Sequence, residues 1–175
     1  MNSGQMLFAI GALVLLAKLA LSGNALLLDN QVMIWQTEAI ETATGIGQST
    51  IEKIEVRGYD EKAKGGSDTV QTSTFSTTLG PDAALGDTVG KPSSYDDIDD
   101  FDGFTDSIST PRFGKFYVSC DVNYANVTSP YGTTASKTFM KRIDVTITNS
   151  FLVDASDQSR KLTSGITLSK FISYR

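Results

Sequence analysis

MLFAIGALVLLAKLAL, residues 6–21, is almost unbroken apolar sequence whose single charge is Lys18. After Ser22, Gly23 and Asn24 the chain turns apolar again over residues 25–35, and a polar-faced helical pattern then begins. Taken strictly, the run is 16 residues, short of the roughly 20 that cross a bilayer core. Extended through Leu28 it is 23 residues, enough to span with some tilt. A removable secretory signal fits poorly, because no Lys or Arg precedes the run and the pattern continues past Ala-type cleavage positions. Two readings stay open: a single-span anchor, and an assembly helix that rests in the membrane and later packs against copies of itself. The second would use Met6, Leu7, Phe8, Ile10, Leu13, Val14, Leu16, Lys18 and Leu21. A lysine costs roughly 2.5–3.5 kcal/mol at the bilayer centre, so Lys18 must snorkel or meet a carbonyl or acid on a neighbouring subunit. Ser22, Gly23 and Asn24 are poor helix formers and predict a point where the helix melts or bends.

From Val32 onward, apolar or small residues recur every three or four positions: Val32, Trp35, Ala39, Ala43, Ile46, Thr50 and Ile54. Gln36, Glu38, Glu41, Gln48, Glu52 and Lys53 fall off that stripe, as an amphipathic helix requires. Val32, Trp35, Ala39, Ala43, Ile46 and Ile54 are therefore the expected helix–sheet core, with Trp35 where the head begins. A helix over residues 6–56 would be about 75 Å long, whereas the rest of the chain makes a body with a radius of gyration of about 14 Å. Such a body covers about half the rod, so the N-terminal half must protrude and needs lipid or a bundle of like helices.

Gly58 stops the helix, with Arg57 in its last turn. Residues 59–110 are a long connection rich in Gly, Ser, Thr and Asp, a length that in a compact domain is normally functional or an interaction surface. Phe116, Val118, Cys120, Val122 and Tyr124 then alternate strictly, as do Ile143, Val145 and Ile147, and a last strand runs through Ile166, Leu168, Lys170, Ile172 and Tyr174. Turns are expected at residues 129–132 and 154–159. The fold class that follows is α+β, a long N-terminal helix packed on an antiparallel meander. The chain divides into 1–28, an apolar membrane or filament-core helix; 29–57, its amphipathic continuation; 58–110, the connection; and 111–175, the sheet.

Net charge is −5, and there is no basic cluster to suit nucleic acid. His is absent, which removes the commonest general base, and no G-x-S-x-G or similar nucleophile setting occurs, so an enzyme is not expected. One cysteine, Cys120, allows no internal disulfide; valines at 118 and 122 predict a buried thiol. Residues 96–106, DDIDDFDGFTD, hold six acids. Asp97, Asp99, Asp100 and Asp102 could share a Ca²⁺, which takes six to eight oxygen ligands, although the spacing is not that of an EF-hand. Alternatively these side chains cap turns while Ile98, Phe101 and Phe104 anchor the loop. No other cofactor is expected.

The chain resembles a type IV pilin, in particular the minor-pilin-like proteins of the MSHA type. The likeness spans the whole length, and its sharper parts are DDIDDFDGF at 96–104, KRIDVTI at 141–147 and ITLS at 166–169. The resemblance implies a lollipop-shaped subunit held in the inner membrane and extracted by an assembly ATPase into a helical filament on the cell surface. Its partners would be copies of itself or other pilins. It also implies a processing site at Gly4 and Gln5. Here the chain departs from the pattern: no Lys or Arg precedes Gly4, and cutting there leaves Ala9, not Glu, at the fifth position. Gly-Gln is similar to the cut site of archaeal-type class III signals. The alternatives to a filament subunit are an anchored surface protein with a β-rich binding head, or a secretion-system pseudopilin of the same fold.

Overall fold

A computed structural model describes residues 2–63, 70–84, 86–126, 128–129, 132–154, 157–161 and 165–174. One helix, α1, runs over Ser3–Glu55. The chain divides into two compact units, Met1–Glu38 and Ala39–Arg175. In the first, the helix begins at Ser3 and continues to the unit's end. Ser22, Gly23 and Asn24 are helical, so the expected melting point does not appear. Gly and Asn lower helix propensity by at most about 1 kcal/mol each, and the Leu- and Ala-rich turns on both sides offset this.

In the second unit five strands form an antiparallel sheet: β1 (Thr105–Thr110), β2 (Gly114–Ala125), β3 (Thr133–Thr134), β4 (Met140–Thr148) and, after a separate hairpin, β7 (Ile166–Ser173). The order is β1-β2-β4-β7, with β3 paired to the end of β2. The hairpin is β5 (Val153–Asp154) with β6 (Asp157–Lys161), so Asp154 and residues 157–159 lie in strands rather than in the expected turn. The middle of the turn expected at 129–132 lies outside the described residues.

Period-2 alternation decides which side chains of β2 and β4 go inward. Phe116, Val118, Cys120, Val122 and Tyr124 are buried on β2, and Ile143, Val145 and Ile147 on β4. Helix residues Ala39, Ala43, Gly47, Thr50, Ile51 and Ile54 are buried on the facing side, and Ile46 packs against the same core while partly exposed. Val32 and Trp35 are 40% and 49% exposed and do not belong to this core. A stripe tells which face of a helix is apolar, not how far its partner reaches, so the periodicity overran the core. Burial raises the Cys120 thiol to about 12, which makes it an unreactive core group.

Gly47 marks the closest approach of helix and sheet. A Cβ placed there would lie 2.7 Å from Ile147 Cδ1 and 2.9 Å from Leu168 Cδ1. Gly47→Val is therefore expected to destabilise the fold by about 1–3 kcal/mol through overpacking, read as a drop in melting temperature. An unchanged melting temperature would show that β4 and β7 can move aside.

Aromatic contacts hold the connection to this core. Tyr95, Phe101 and Phe104 stack edge to face with centroids 5.0–6.1 Å apart, and Ile98 is buried beside them. Farther along the sheet, Phe75 packs against Tyr59 at 5.1 Å and against Phe139 at 5.4 Å. The 3₁₀ turns Glu61–Ala63, Thr72–Thr74 and Asp99–Phe101 punctuate this path.

Candidate functional site

Two features stand out, one in each unit. In the first, every named position of the apolar helix is exposed, from 57% at Met6 to 84% at Phe8, with Leu13 at 72%, Leu16 at 73% and Leu21 at 70%. Ile10 and Val14 are each 60% exposed and Leu7 is 74% exposed. Lys18 is exposed among them, and Gly4 and Gln5 are exposed in the first turn. The helix is long and apolar enough to cross a membrane. Residues 6–28 would rise about 34 Å, against a hydrocarbon core of about 30 Å. Its backbone polar groups are satisfied within the helix, as a lipid-facing segment demands.

In the second unit a charged cluster is sealed inside the fold. Lys141 sits on β4 in register with Tyr124 of β2 and has no exposed surface. Its ammonium donates to Asp99 Oδ1 at 2.6 Å and to the Tyr59 carbonyl at 2.7 Å, with Asp60 Oδ2 at 3.6 Å. The Tyr59 and Tyr124 rings flank it, their centroids 4.6 and 5.5 Å away. Asp60 and Asp99 are each 2% exposed. Asp60 also accepts from the Ser76 and Lys62 amides at 2.7 and 3.0 Å, and the Tyr124 hydroxyl donates to the Ser76 carbonyl at 2.7 Å. One lysine thus ties two stretches of the connection, at Tyr59–Asp60 and at Asp99, to the sheet, and Asp60 brings in a third at Ser76.

The acidic loop closes on this cluster. After α1, Gly58 pairs with the loop: its amide donates to the Asp96 carbonyl at 3.1 Å, and the Ile98 amide donates to the Gly58 carbonyl at 2.9 Å. Asp97 accepts from the Glu61 and Asp100 amides at 2.9 and 3.2 Å, and Asp100 from the Asp96 and Asp97 amides at 2.9 and 3.2 Å. Asp102 accepts from the Val122 amide of β2 at 2.9 Å. Burial, reinforced by hydrogen bonds with the Glu61 and Asp99 carboxyls, raises Asp97 far enough to hold a proton at neutral pH. Burial also lifts Asp100 to about 6, against the pull of its two backbone amides.

The four aspartates expected to share a Ca²⁺ therefore do not form one ligand set. Asp99 faces a lysine, Asp102 caps a strand amide, and Asp97 and Asp100 cap each other's backbone. Among the described residues, acidic oxygens converge instead in Asp60–Glu61–Asp97 and in Asp87–Asp96–Asp100. In the first group Asp60 already has Lys141 for a cation. Composition showed the density of acids but not that the matching cation lay forty residues on. A signal for it existed: Lys141 shares its strand parity with Ile143, Val145 and Ile147, which places it on the inward face. An inward lysine demands an acid, and the loop supplies it.

Comparison of the chain with protein-family models, curated proteins and solved structures finds no match.

Proposed function

We propose that the chain is a structural subunit that is inserted in a membrane by residues 6–28 and polymerises through that helix into a surface filament, as a type IV pilin does. The observation that carries this reading is the helix itself, apolar on every side and exposed from Met6 to Leu28. Surface of that size and character is not stable in water, and lipid or copies of the helix are the two environments that bury it. Lys18 favours copies. It lies about midway along residues 6–28, and the first acid beyond it in the chain, Asp29, is about 16 Å farther along the axis, out of reach within one helix. An axial stagger between neighbouring subunits brings such a pair together.

The sealed lysine cluster supports the same reading from the other unit. It stiffens a long connection that would otherwise be the weakest part of a body under tension. Mechanical shearing of cells followed by alkaline extraction of their membranes tests the proposal. The chain is expected in both pools, as sedimentable polymer in the sheared material and as an extraction-resistant protein in the membrane. Confinement to the membrane pool would favour the single-span anchor with a binding head.

A further inference from the structure

We propose that Lys141 and Asp99 form an internal amide cross-link, joining β4 to the acidic loop. The amine and the carboxyl are held 2.6 Å apart, Nζ to Oδ1, with no exposed surface on the lysine and 2% on the aspartate. The Tyr59 and Tyr124 rings wall the pair. A second carboxyl, Asp97, is fully buried two residues before Asp99, and its oxygens converge with those of Asp60, which itself lies 3.6 Å from Nζ.

These are the parts that aminolysis of a carboxylic acid needs. In bulk water an ammonium and a carboxylate do not condense, because both are charged and water is in excess. The reaction begins when a proton passes from Nζ to Asp99 across the 2.6 Å contact, leaving an amine facing a carboxylic acid. The amine lone pair attacks Asp99 Cγ, and the C=O electrons move to oxygen. Asp97 stays protonated for the reason given above, and its carboxyl can steady the developing oxyanion. The tetrahedral adduct collapses with loss of the hydroxyl, which takes the second proton of Nζ through the Asp97 carboxyl and leaves as water. The ammonium and carboxylate become one amide and one water, and Asp97 ends as it began. No oxidant or other reactant is needed. The remaining N–H has its acceptor in place at the Tyr59 carbonyl, 2.7 Å from Nζ. Fixed proximity supplies the drive, since well-oriented intramolecular partners reach effective concentrations on the order of 10⁵ M or more. The product replaces the Lys141–Asp99 ion pair and leaves Asp60 held by the Ser76 and Lys62 amides.

The inference is independent of the filament reading. It is tested by mass spectrometry of the full chain purified in detergent, intact and after proteolysis. The expected result is a mass lower than the sequence mass by one water, with a branched peptide joining the segment of Asp99 to that of Lys141. Asp97→Asn keeps both partners but removes the carboxyl that passes the proton, and unlinked chain is expected to accumulate. Folded wild-type protein with the full sequence mass and no branched peptide would overturn the proposal, and so would a water loss mapped to other residues. If Asp97→Asn does not fold, the wild-type measurement decides alone. A fully linked Asp97→Asn protein would overturn the role given to Asp97.

Discussion

Replacing Lys141 with methionine lowers the stability of the folded chain by about 3–5 kcal/mol, the range found when one partner of a buried ion pair is removed. Methionine keeps much of the apolar stem, so packing between the Tyr59 and Tyr124 rings is disturbed little and the loss reports the bonds made by Nζ. Asp60 and Asp99, each 2% exposed, then lose their cation, and Asp60 keeps the Lys62 and Ser76 amides. Any cross-link to Asp99 is lost with the same substitution and acts in the same direction. The loss is expected to be sharp, because Lys141 is bound to the carbonyl of Tyr59 as well as to the acids, and all three contacts fail together. Denaturant unfolding of wild type and Lys141→Met measures it. A difference below about 1 kcal/mol would mean that the acids relax to water, and the cluster would then be no keystone of the body.

Leu13→Asp is expected to abolish polymerisation and leave the body folded. Leu13 lies near the centre of residues 6–21 and is 72% exposed, outside the buried core among the described residues. In a bundle of apolar helices or in lipid, an unpaired carboxylate faces a desolvation cost of several kcal/mol with no partner to offset it. The unit Ala39–Arg175 has its own core, which Leu13 does not enter. The outcome should therefore be selective: no sedimentable polymer in sheared material, with an unchanged near-ultraviolet circular dichroism spectrum of the body. Normal polymer from Leu13→Asp would refute packing through this helix.

Elements whose residues face one environment throughout were legible in the sequence. The alternation at 116–124 and 143–147 matches β2 and β4, and the Ala39, Ala43, Ile54 spacing matches the buried face of α1. β1 lies inside the stretch whose composition reads as connection. Its sequence, TDSIST, is an edge strand with Ile108 as its only large apolar residue, so a period-2 pattern had nothing to show. Gly47 and Ile51 are buried without a legible signal for a related reason. A glycine in a helix usually reads as a weakness, and only the distance to Ile147 reveals it as a contact. Two local readings were also reversed. Good helix formers carried the helix through Gly23, and Trp35 stayed exposed although the stripe includes it. In the acidic loop, residue types alone could not separate capping from metal binding, because both use the same carboxylate oxygens. The fold gives these carboxylates backbone amides and one lysine distant in sequence as partners.

Electron microscopy of material sheared from cells, labelled with an antibody raised against residues 39–175, tests most directly whether this chain builds a filament. The account predicts thin filaments labelled along their length, with residues 6–28 buried against one another in the filament interior. Unlabelled filaments, or no filaments while the chain is abundant in the membrane, would contradict it.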